Sequence, residues 1–183
     1  MTKKVCLPLA AVAAVSLLAV PARGDGDGGG RTLRAALKAR DEVPLVVSAA
    51  TGRFRAVVAE DGLSFDYTLN YGGFEGTVTQ SHIHIGQTFA AGGISVWLCQ
   101  TATNPAPAAV AAQTPMCGAP GGDGDEAAGT ISAEDVIGPA GQAVPALAFA
   151  DLMSAIRSGN AYVNVHSSSA PGGEVRGQIS ADH

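Results

Sequence analysis

Beyond residue 22 the 183-residue chain has no apolar run long enough to cross a bilayer, which excludes a membrane-spanning helix from its body. It also lacks a basic surplus. Eleven Lys and Arg face sixteen Asp and Glu, for a formal charge of −5; an acidic chain is a poor ligand for nucleic acid or an anionic membrane surface. There is no Gly-x-Ser-x-Gly segment and no free cysteine beside a histidine, so no nucleophile of hydrolase type is visible. There is no internal repeat and no C-terminal sorting signal. Cysteine is scarce, at three residues in all, and none has zinc-ligand spacing.

The one apolar run belongs to the N-terminus. Lys3 and Lys4 precede Val5–Val20, and Val20-Pro21-Ala22 offers short side chains at the −3 and −1 positions of a cleavage site. Residues 1–22 therefore read as a secretory signal peptide. Cys6 lies near the start of the run, away from the position a lipoprotein acyl site requires. Removal of this segment takes away Lys3 and Lys4 and no acid, moving the charge by two units from −5 to −7. The expected product is secreted or periplasmic. Residues 23–31, rich in Gly and Asp, read as a flexible leader, and residues 32–183 as one folded domain.

Two cysteines remain after cleavage, Cys99 and Cys117. An even pair in an exported protein is most simply a disulfide; a metal site is the competing reading.

Along the domain the chain alternates apolar and polar residues in short stretches separated by Gly, Asp and Pro. Leu33, Ala35, Leu37 and Ala39 form one apolar face, Phe54, Ala56 and Val58 a second, and Phe65, Tyr67, Leu69 and Tyr71 a third after an Asp61-Gly62 turn. Further strands are expected over residues 77–85, 94–98, 161–166 and 174–180. Thr101–Ala128 is a Pro- and Ala-rich excursion, and Ser132-Ala133-Glu134-Asp135 has capping-box spacing. One helix is expected at 148–158, with Phe149, Leu152, Met153 and Ile156 on one face and Gly159 as its stop. The fold class is all-β: an antiparallel Greek-key or Ig-like sandwich or barrel with one short helix near the C-terminal hairpin.

Three of four histidines lie in two alternating strands, Ser81-His82-Ile83-His84-Ile85 and Tyr162-Val163-Asn164-Val165-His166. Residues two apart on a strand point the same way, about 6.8 Å apart at Cα. His82 and His84 then share one face, expected to be wet, while Ile83 and Ile85 enter the core. If the two strands are neighbours, His166 joins them in a three-imidazole patch suited to zinc or copper. Pro171-Gly172-Gly173 supplies a turn that sets Glu174 opposite His166, where its carboxylate would accept the imidazole N–H and orient the ring. The competing reading is structural, because outward polar residues on strands need no ligand and histidine joins strand ends by hydrogen bonds. Trp97 reads as packing. Asp123, Asp125 and Glu134 have calcium-loop spacing, but Ala127 and Ala128 stand where a ligand and a glycine are required, which excludes an EF-hand.

Several segments together resemble the CHRD domain, a module named after chordin. They are Glu42-Val43-Pro44, Thr51-Gly52, Ser81-His82-Ile83-His84, Ala133–Pro139, Tyr162–His166 and Pro171–Gln178. The chain departs from the pattern at Leu45, where a second proline is common, and at Ile85-Gly86-Gln87, where Gly-Pro often follows the histidines. The resemblance implies a non-enzymatic binding or structural module of a secreted protein, with an extracellular protein or matrix component as partner. The alternative is a metal-binding protein using His82, His84 and His166. A dismutase-like metalloenzyme is the only enzymatic idea with content, since such enzymes also place His-x-His on a Greek-key barrel; their remaining ligands are not visible.

Overall fold

A computed structural model describes residues 31–118 and 127–182, besides Met1. The signal-peptide and leader assignments, Asp123, Asp125 and His183 lie outside the described residues. Nine strands form: β1 Thr32–Lys38, β2 Thr51–Val58, β3 Phe65–Gly72, β4 Val78–Ile85, β5 Gly93–Cys99, β6 Ala127–Ile131, β7 Ala161–Ser167, β8 Val175–Gln178 and β9 Ser180–Ala181. Among the described residues one α-helix, α1 (Phe149–Arg157), precedes β7. The strands make one sheet in the order β5-β4-β7-β8-β1-β2-β3-β6, with β9 also on β1. All named strand pairs are antiparallel.

The sheet curls into a nearly closed barrel. Its end strands β5 and β6 come into contact, and Tyr67 of β3 donates its hydroxyl across to the Leu98 carbonyl of β5 at 2.5 Å. The alternating residues fill the interior: Leu33 and Leu37, Phe54, Phe65 and Leu69, Ile83, Val96 and Leu98, Val163 and Val165. Helix α1 lies against β4, β7 and β9. It buries Phe149, Leu152, Met153 and Ile156, the four residues that the 3.6-residue period selects. Phe149 meets Phe65 with ring centroids 5.9 Å apart. The helix stops where Gly159 takes a φ of +72°, a left-handed conformation that costs glycine little.

Cys99 and Cys117 are joined in a disulfide with Cα atoms 4.9 Å apart. It anchors the excursion after β5. Gln100 adds a polar clamp there: its amide donates to the Ala111 and Thr114 carbonyls, and its oxygen accepts from the Ala106 amide.

Strands β1 to β3 alternate buried and exposed residues, whereas every residue of β7 is buried. Both faces of the sheet are therefore covered around β7. The interior covers one. Over the other fold the segment after β1 (39–50), the β4–β5 loop (86–92) and the β7–β8 turn (168–174).

Candidate metal centre

Strand β4 sits between β5 and β7, and its register assembles the polar face. His82 lies across from Asn164 of β7 and Trp97 of β5; His84 lies across from Tyr162; His166 pairs with Gln80. Asn164 in turn pairs with Arg176 of β8. Ile83, Val96, Val163 and Val165 occupy the opposite face and belong to the core. The alternation thus assigns the facing of the histidines, but the expectation that this face is wet is corrected. His82 is 0 % exposed, and His84 and His166 are 7 %. Tyr162, Asn164 and Arg176 are buried with them. Alternation reports which side of a sheet a residue takes; it carries no information on whether a distant loop covers that side.

The histidine strands are neighbours, and the three rings converge. His82 and His166 have centroids 4.9 Å apart, and His82 and His84 5.4 Å. One ligand nitrogen from each of the three lies within 4.8 Å of the others. The Nδ1 atoms of His84 and His166 face carbonyl oxygens, of Gly92 and Pro171, each at 2.9 Å. A carbonyl can only accept, so both Nδ1 atoms carry the proton and both Nε2 atoms carry a lone pair. His166 Nε2 stands 3.2 Å from His82 Nδ1, which must donate to it. His84 Nε2, His82 Nε2 and Asn164 Oδ1 are buried without a hydrogen bond of good geometry, although the Asn164 side chain lies close enough to interact with both rings.

Burial holds all three imidazoles neutral. Desolvation lowers His82 well below the ordinary histidine value, and the two neighbouring rings lower it further. Desolvation lowers His84 to about 4, against the opposing hydrogen bond to Gly92. It lowers His166 too, opposed by the Pro171 carbonyl. Neutral imidazole is the form that ligates metal.

The expected role of Glu174 is corrected. Its carboxylate does not meet His166. It accepts from Ser48 Oγ at 2.6 Å and, very closely, from Ser167 Oγ, tying the 39–50 segment to the end of β7. The turn itself brings the Pro171 carbonyl onto His166 Nδ1, and that carbonyl does the orienting. Ser48 is distant in sequence from Glu174, so no strand pattern predicts the pairing.

Other residues of the site had no functional reading in the sequence. Trp97 sets its ring edge-on to His82 at 4.3 Å. Tyr162 stacks on His84 at 4.8 Å with the rings 5° from parallel, and its hydroxyl accepts from the Gly92 amide. Glu42 is buried close to Gly173: a Cβ at Gly173, which has a φ of +122°, would fall 2.5 Å from Glu42 Oε1 and 3.0 Å from Asn164 Nδ2. The turn passes between these side chains only because position 173 has none. For Tyr162 and Asn164 the alternation already pointed to the histidine face; for Trp97, Glu42 and Arg176 only the register and the loops do so.

The family model of the CHRD domain matches residues 33–179. The chain belongs to the CHRD family. The match spans all three clustered histidines, Glu42 and the whole β7–β8 hairpin of this CHRD domain. Comparisons with curated proteins and with solved structures found no match.

Proposed function

We propose that this CHRD domain is a non-catalytic, extracytoplasmic module that binds one copper or zinc ion through His82, His84 and His166. One observation carries the reading. Three buried imidazole rings converge with ligand nitrogens within 4.8 Å of one another, and His84 Nε2 carries a lone pair with no donor of good geometry, beside a third ring already oriented by a carbonyl. A buried acceptor without a partner costs about 1–3 kcal/mol. A metal ion would offset that cost.

The spacing supports it. In a tetrahedral site with metal–nitrogen bonds of 2.0–2.1 Å, ligand nitrogens stand about 3.3 Å apart. His82 Nδ1 and His166 Nε2 are already 3.2 Å apart. An ion taking the place of the proton between them would move that proton to His82 Nε2, where Asn164 Oδ1, across the strand pair, offers an acceptor. The carbonyl contacts at Gly92 and Pro171 are the kind of outer support that fixes ring orientation in metal sites. The disulfide supports an oxidising, exported setting.

Metal analysis of protein purified without an affinity tag, followed by calorimetric titration with copper and zinc, tests the proposal. Wild type should take up one equivalent of one of these ions. His84→Ala should lose most of the affinity. Identical flat titrations for both would leave the cluster as a polar clamp between strands.

A further inference from the structure

The charge around the three histidines is as specific as their geometry. Among the described residues, no carboxylate or thiolate joins the cluster, and Cys99 and Cys117 are committed to their disulfide. The donor set therefore carries no charge. Beside it lies a fixed cation. Arg176 is 3 % exposed, and its guanidinium carbon sits 3.4 Å from the centroid of the Tyr162 ring. Tyr162 stacks on His84 in turn, so guanidinium, phenol and imidazole form one column. Nη2 of Arg176 donates to the Gln87 carbonyl at 2.9 Å. Among the described residues no carboxylate comes within 4.0 Å of it; the three ion pairs formed involve other arginines. Glu42 attracts it only from a distance.

Two electrostatic costs follow. The cost of transferring an ion out of water grows as the square of its charge, and repulsion from a fixed cation grows linearly with it. A divalent ion in this uncharged, water-poor donor set meets the first cost in full, and meets the second from Arg176 across the Tyr162 ring. It would need a hydroxide or another anion as company, yet His82 Nε2 and His84 Nε2 are out of contact with solvent. Cu(I) carries half the charge, takes imidazole ligands, and is content with two or three of them and no water. For imidazole donors alone, Cu(II) is ordinarily the strongest binder of the divalent series.

We infer that the site selects Cu(I) over Zn(II) and Cu(II), and that Arg176, stacked on Tyr162 behind His84, sets that selectivity. This rests on the metal-binding reading above.

The test uses full-length exported protein under anaerobic conditions. Cu(I) is titrated against bicinchoninate, and Zn(II) and Cu(II) each against a chromophoric chelator. One equivalent of Cu(I) should bind at least 100-fold more tightly than either divalent ion. Arg176→Met keeps the apolar length and removes the charge; it should narrow that ratio at least tenfold. Arg176→Lys, which keeps the charge, should preserve it, and it carries the comparison if the Met variant fails to fold. Uptake of none of the three ions would overturn the metal-binding reading itself. Zn(II) or Cu(II) binding as tightly as Cu(I) would overturn this inference and leave that reading standing. An unchanged ratio in Arg176→Met would remove Arg176 from its role.

Discussion

His84 shows how burial sets a residue's chemistry. An exposed histidine is half protonated near pH 6.5 and poor as a ligand below it. In this CHRD domain desolvation holds His84 neutral down to about pH 4. Metal binding should therefore persist to lower pH than at an exposed three-histidine site of equal affinity, and be weakened further as the pH falls through the His84 value of about 4. Competition titrations at stepped pH read this directly; an affinity that begins to fall near pH 6.5 would show that the rings are solvated. Stability of the metal-free protein follows with the same sign. The folded values are lowered, so the unfolded chain binds more protons below pH 6.5. The histidine contribution is complete above that value and is lost as pH falls toward and through about 4. Glu42, raised by burial, acts in the opposite sense, its contribution falling as pH rises through its folded value. Glu174 is separable from all of this because its partners are serines. Glu174→Gln should lower the melting temperature, by the equivalent of roughly 1–3 kcal/mol, and leave metal affinity unchanged. A parallel loss of affinity would return Glu174 to the role of orienting His166.

Strand β7 separates two kinds of interior. Val163 and Val165 face hydrocarbon, while Tyr162, Asn164 and His166 face the polar layer under the loops. Val163→Asp would place a carboxylate among aliphatic side chains with nothing to pair it, and should unfold the domain or cost more than about 3 kcal/mol. Asn164→Asp places its charge one residue away, beside neutral imidazoles, across the ladder from Arg176 and next to the Glu42 carboxyl that Asn164 hydrogen-bonds. It should be tolerated in thermal melts of metal-loaded protein, and it should raise Zn(II) affinity by supplying the anion that the site lacks. Equal melting behaviour of the two variants would contradict the assigned facing.

For the molecule as a whole, the disulfide closes a loop with a sequence separation of 18, worth about 3 kcal/mol in the chain-entropy model. Peptide mapping of exported protein without reductant should find Cys99 joined to Cys117 and the chain beginning at or near Arg23. In the double Cys→Ser variant, hydrogen exchange should speed first across residues 101–116. The Gln100 clamp should keep that segment from opening completely, because its three hydrogen bonds do not involve sulfur. The disulfide meets β4 at Ser81, whose hydroxyl donates to Cys99 Sγ; the histidines are held by β7 and the loops and should keep their protection. No helix among the described residues is long and apolar enough to cross a membrane.

Much of this architecture was legible in the sequence because its signals are local. Period-two alternation marked β1, β2, β3, β4 and β7, and period 3.6 marked the buried face of α1. Family membership was legible in the His-Ile-His strand and the segment from Tyr162 to Gln178. Facing was legible too, since a pleated strand sends alternate side chains to opposite sides. What the tertiary structure decided was whether the histidine face met water. Residues 39–50, 86–92 and 168–174 close over it, Arg176 arrives from the next strand, and Ser48 takes Glu174 away from His166. Each of these contacts joins residues far apart in the chain. The free energy that selects them resides in packing and in satisfying buried polar groups, which no short window of sequence contains.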